Sequence, residues 1–133
     1  MATQAPAALE PSLVQRFVGN AHGDLDAVRA ALSDEPILAN AAWDWGGGDW
    51  ETAAGAAAHM GRRDIAELLL AHGARLDVFV AAMLGEVDVV RVILEAQPQA
   101  REAKGPHGIP LRAHAEAGGE QAAAVLELLD SGR

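Results

Sequence analysis

The residues best equipped for chemistry stand together at Trp43-Asp44-Trp45-Gly46-Gly47-Gly48-Asp49-Trp50-Glu51. Carboxylates beside indole platforms have the make-up of a sugar-cleaving pair, in which one carboxyl protonates the leaving oxygen and another attacks or activates water. In that reading Asp44, Asp49 and Glu51 process a small ligand or a carbohydrate, and His59 carries protons. The pair needs a fixed separation, however, and a triple glycine supplies no stiffness of its own. Charged loop residues are more often solvated than catalytic, so neither an enzyme nor a catalytic residue is expected. The glycines are not a phosphate cradle either, because no Lys-Ser or Lys-Thr follows them and no strand-to-helix fingerprint surrounds them.

Five histidines raise the question of a metal, with His59, His72, His107 and His114 as the candidate ligands. None of these forms the i, i+4 helical pair of a compact zinc site, and the chain has no cysteine. They are therefore assigned to the surface and to helix ends, and no metal or cofactor is expected. Three tryptophans are conspicuous in a chain with 4% aromatic residues. Trp is common among the residues that dominate protein interfaces, yet large aromatic surface is seldom left wet. Two alternatives stay open: the indoles project as a recognition element, or they fold down and anchor the loop. Arg62-Arg63 opens a helix against its dipole, for which neighbouring Asp64 is a sufficient local explanation.

A helical body has to position these residues. Half of the chain is apolar with few aromatics, and its alanines and leucines favour helix over strand. Gly23-Asp24-Leu25-Asp26 followed by an aliphatic run returns as Gly61-Arg62-Arg63-Asp64 and again as Gly85-Glu86-Val87-Asp88. A unit copied in this way specifies helical hairpins that shield each other's apolar sides. Residues 1–11 read as a tail, disordered or loosely docked, and 12–133 as one domain with units at about 12–42, 43–75, 76–100 and 101–133. The first helix starts at Ser12 and the second ends before Pro36. Residues 43 to 51 form a hairpin loop, and Thr52 caps a helix over Ala53 to Met60. Further helices span Asp64 to Ala71, Val78 to Leu84, Asp88 to Ala96, Pro110 to Ala117 and Glu120 to Leu129. Val28, Leu32, Leu68, Leu69, Val92 and Ile93 are the expected core.

Helix, glycine turn, antiparallel helix and β-hairpin in succession resemble the ankyrin repeat, whose period is about 33 residues. The likeness is carried by Thr52, Ala57, Ala58, Gly61, Leu68, Leu69, Gly73 and Ala74 in the second unit, and by Gly108, Pro110, Leu111 and Gly118 in the fourth. It implies an all-α, ankyrin-like helical solenoid of four stacked repeats. The interval from Gly23 to Gly61 is too long and that from Gly61 to Gly85 too short, so one hairpin finger is enlarged and one is missing. The family's Thr and His pair is also degraded, with Gly55 at the histidine position and Ile109 and Arg112 in place of the pair in the fourth unit. The resemblance further implies a concave groove lined by Ala21 and His22, His59 and Met60, Met83 and Leu84, and Glu116 and Ala117.

With 19 acidic against 10 basic residues the net charge is -9, which opposes binding to nucleic acid or to an acidic membrane. The expected function is a protein–protein interaction module that grips an unidentified protein through its groove and finger. Trp43, Asp44, Trp45, Asp49, Trp50, His59, Met60, Met83 and Leu84 are the expected contacts. The absence of cysteine and of a leader or membrane span points to the cytoplasm, and a monomer is favoured over self-association.

Overall fold

The computed structural model describes residues 5–131; residues 1–4 of the expected tail, and residues 132 and 133, lie outside the described residues. The chain is mostly helical. Four helical pairs follow one another: α1 (Pro11–Asn20) with α2 (Leu25–Asp34), α3 (Ala53–His59) with α4 (Arg63–Ala71), α5 (Val78–Leu84) with α6 (Val87–Ala96), and α7 (Leu111–Ala117) with α8 (Ala123–Ser131). Between the first two pairs stands a hairpin of β1 (Ala42–Asp44) and β2 (Trp50–Thr52). Among the described residues no helix is long and apolar enough to cross a membrane.

Local chemistry sets the boundaries. Pro11 opens α1 rather than ending the tail, because its fixed φ and missing N–H suit the first helical turn. Leu9, also assigned to the tail, packs against the core. The side chains of Asp24, Thr52 and Asp77 accept the amides of Ala27, Gly55 and Val80, and so cap α2, α3 and α5. Residues 119–122 form a 3-10 turn ahead of α8, so that helix starts later than expected.

The first helices of the pairs pack side by side, α3 on α5 and α5 on α7. Every residue of α3 from Ala53 to Ala58 is alanine or glycine and every one is buried, so its neighbours approach closely. That closeness has a consequence absent from the sequence reading: α7 also reaches α3. Gly61, at φ 67°, lies so near α7 that an added Cβ would sit 2.6 Å from the Ala117 carbonyl oxygen.

Two expectations about burial are corrected. Val92 is 61% exposed, because α6 turns Val90 and Leu94 inward and Ile93 only partly. Met83 is fully enclosed and Leu84 is 8% exposed, so neither lines an open groove. The approach of α7 covers that part of α5, and Gly118 rests on the Met83 carbonyl. Val28, Leu32 and Leu69 are buried as expected, and Leu68 is partly buried.

Candidate functional site

Strand alternation decides what the hairpin presents on each face. Trp43 pairs with Glu51 and Asp44 with Trp50, so neighbouring residues Trp50 and Glu51 point to opposite sides. Trp50 is 63% exposed, whereas the Glu51 side chain has no exposed surface. The glycine tip is held firmly after all. The Asp44 carboxylate accepts the amides of Gly46 and Gly48 at 2.8 and 3.0 Å, and all three glycines have positive φ. Open alternatives for the indoles resolve residue by residue. Trp50 projects, Trp43 is half-buried, and Trp45, whose ring lies close to Gly19, donates its N–H to Glu51 Oε1 at 2.8 Å.

Around buried Glu51 stand three histidines drawn from three helical pairs. His22, in the turn after α1, places Nε2 3.2 Å from Oε1. His59, the last residue of α3, places Nε2 2.8 Å from Oε2. His107 lies on the turn before α7, with Nε2 3.3 Å from Oε2. Ring centroids are 5.0 Å apart for His22 and His59 and 5.3 Å apart for His59 and His107. The rings pack edge-on or tilted against one another.

Asp49 reaches across from the hairpin to hold His107. Its Oδ1 accepts the His107 backbone amide at 2.7 Å, and its Oδ2 lies 2.7 Å from Nδ1. His107 has φ 60°, the one left-handed non-glycine residue among the described residues. Such a conformation costs roughly 1 kcal/mol or more and persists where surrounding contacts dictate it. Here the two bonds from Asp49 dictate it. They also bridge the place where the third pair lacks a hairpin, so the turn of the fourth pair leans on the hairpin of the second.

Charge in the cluster follows from these contacts. Burial alone would raise the Glu51 carboxyl, but the His59 and Trp45 hydrogen bonds and the nearby His22 and His107 charges outweigh it, and the net shift is downward. For His107, partial burial opposes protonation, yet the Asp49 hydrogen bond and the Glu51 and Asp49 charges raise it above 6.5. Asp49 is lowered, first by the His107 amide. The raised His107 value stabilises the fold below pH 6.5 and the contribution is lost as pH climbs through the folded value. The lowered Glu51 value stabilises it above pH 4.5 and is lost as pH falls through the folded value. In EDTA, the gap in thermal midpoint between the parent and His107→Ala should be widest between these limits and narrow as pH climbs above 6.5 through the folded His107 value. A gap that widened with rising pH would contradict this protonation order.

His72 stands apart, its Nδ1 on the Leu68 carbonyl, as an ordinary helix-end residue. His114, expected at the surface, is fully buried, with Nδ1 on the Pro110 carbonyl and burial lowering its pKa. Among the expected partner contacts, Asp44, Asp49 and His59 are engaged inside the protein, while Trp50 and Met60 remain exposed. His22 entered the sequence reading only as a groove position by resemblance, and the convergence of His22, His59 and His107 was missed. They lie in three different units, so no local spacing joins them. One available signal was their place in the repeat: His22 immediately precedes Gly23, and His59 stands two residues before Gly61. The residues able to share one ion are His22, Glu51, His59 and His107, with Trp45 and Asp49 holding them from outside.

No protein-family model matches the chain, and comparisons with curated proteins and with solved structures give no match either. The fold and site define a small, mostly helical protein of successive helical pairs with a histidine–carboxylate cluster beneath its hairpin.

Proposed function

We propose that this chain is a recognition module of the ankyrin-repeat kind, a solenoid that binds a basic segment of another protein beside the Trp43–Trp50 finger. The observation that carries this reading is a cleft of about 290 Å³ where the third pair has no hairpin. Trp50 and Phe79 give it aromatic walls, and Asp49 and Asp77 outnumber Lys104 among its charged lining residues. An aromatic cleft bordered by carboxylates favours an inserted arginine or lysine, whose stem packs on the rings while its cation is drawn by Asp77 and Asp49, whose oxygens keep lone pairs beyond the Val80 and His107 bonds. A net charge of -9 steers such a partner from a distance and repels nucleic acid. The firm tip lets Trp50 bind without an ordering cost, as interface anchors do.

The carbohydrate reading is less well supported, because each of its carboxylates is already occupied. Asp44 holds the tip, Asp49 holds His107, and Glu51 is enclosed among Trp45 and the histidines. A screen of glycans and metabolites by thermal shift tests it, since an enzyme of that kind must be stabilised by its substrate. For the recognition reading, proteins retained from native lysate by the parent should be released by salt and lost with Trp50→Ala, while circular dichroism stays unchanged. Retention of the same proteins by folded Trp50→Ala would remove the finger from the interface.

A further inference from the structure

We infer that His22, His59, His107 and Glu51 form a binding site for one divalent first-row transition-metal ion, of which zinc is the simplest to test. The ligand atoms of these four residues all lie within 4.8 Å of one another. Zinc–nitrogen bonds of about 2.0–2.1 Å imply a tetrahedral edge of roughly 3.3 Å. His59 and His107 place Nε2 2.8 and 3.3 Å from Glu51 Oε2, near that edge, while His22 Nε2 lies 3.2 Å from the other oxygen, Oε1. The ligand atoms close in from separations of up to 4.8 Å to enclose an ion.

Hydrogen-bond accounting points the same way. His22 Nδ1 lies 3.1 and 3.0 Å from the carbonyl oxygens of Val18 and Gly19, which can only accept, so Nδ1 carries the proton. His107 Nδ1 lies 2.7 Å from the Asp49 carboxylate, and its proton is fixed in the same way. In its neutral form each ring therefore carries its lone pair on Nε2, the nitrogen beside the Glu51 carboxylate. A dication accepts these lone pairs and balances Glu51.

The outer partners are those that metal centres use to orient their ligands. Asp49 and two backbone carbonyls fix the tautomers of His107 and His22. Trp45 occupies Glu51 Oε1 and leaves Oε2 to the ion. Glu51 is enclosed and the His59 side chain is 9% exposed, while those of His22 and His107 are 26% and 34% exposed, which leaves an entry path from solvent. Three imidazoles and one carboxylate, with no thiolate, suit zinc or its first-row neighbours rather than calcium or magnesium. The site stands independently of the partner cleft, since it uses the buried face of the hairpin and not Trp50.

The test uses the full chain, free of any histidine tag and stripped with EDTA, titrated with zinc by calorimetry and with cobalt by visible absorption. The parent should bind one ion per chain, show the intense bands of low-coordinate cobalt, and gain roughly 5 °C or more in thermal midpoint at saturating zinc. His22→Ala and His107→Ala, at partly exposed positions that should fold, should each weaken binding at least about 100-fold. Asp49→Asn, acting through His107, should weaken it about 10-fold or more. His72→Ala should leave affinity unchanged. The proposal is overturned if the parent fails to bind zinc and cobalt alike, or if folded His22→Ala and His107→Ala bind as tightly as the parent.

Discussion

Gly85→Ala is expected to lower the unfolding free energy by about 2–5 kcal/mol, the sum of left-handed strain of about 1–2 kcal/mol and a further term of about 1–3 kcal/mol for overpacking. Gly85 ends α5 at φ 80°, and an added Cβ would fall inside the carbonyl oxygen of Gln121 and against Ala122. Those are backbone atoms of the next helical pair, so relief requires the third and fourth pairs to separate. Gly73 supplies the control. Its φ is 93° but nothing lies within 4 Å of an added Cβ, so Gly73→Ala should cost only about 1–2 kcal/mol, the strain alone. Urea unfolding of the two variants separates strain from collision, and equal losses would mean that the close approach at Gln121 is wrong.

The second large effect is expected from Glu51→Ala, at about 3 kcal/mol in metal-free buffer. Glu51 is enclosed, and its removal leaves the Trp45 N–H and His59 Nε2 without their partner. A buried group that loses its acceptor keeps the cost of leaving water, which exceeds the modest worth of the hydrogen bond itself. Glu51→Gln retains the volume and an acceptor for Trp45, so its loss should be smaller, about 1–2 kcal/mol. The emission of Trp45 should change with both. A neutral Glu51→Ala would show that the carboxylate does not hold the hairpin to the helices.

Much of the helical framework was legible because its causes are local. Periodic apolar residues, the caps at Thr52 and Gly73 and the stops at Pro36 and Pro98 act within one turn of chain, and helices lie where they indicate. Burial was less legible. Val92 and Val90 are both valines at plausible core spacing, and only the packing of the neighbouring helices turns one in and the other out. A groove lined by Met83 requires α7 to stay away from α3, whereas the alanines of α3 let the two helices meet.

The cluster was illegible for a different reason. Asp49 and Glu51 were recognised as chemically equipped, but paired with each other and with Asp44 instead of with histidines on other elements. Metal-ligand rules based on i, i+4 spacing find ligands that share a helix. Here β2, the turn after α1, the end of α3 and the turn before α7 each give one residue. Strand alternation within the hairpin, which separates Trp50 from Glu51, was the one local step that the sequence contained and that would have turned Glu51 inward.

The proposed metal site depends on one arrangement, three histidines of different helical pairs meeting on Glu51. Imidazole nitrogen resonances, recorded for the metal-free chain and for Glu51→Gln, report on it directly. The Nε2 signals of His22, His59 and His107 should all move while those of His72 stay in place. Unchanged signals from His22 and His107 in a folded Glu51→Gln would contradict the convergence and, with it, the metal site.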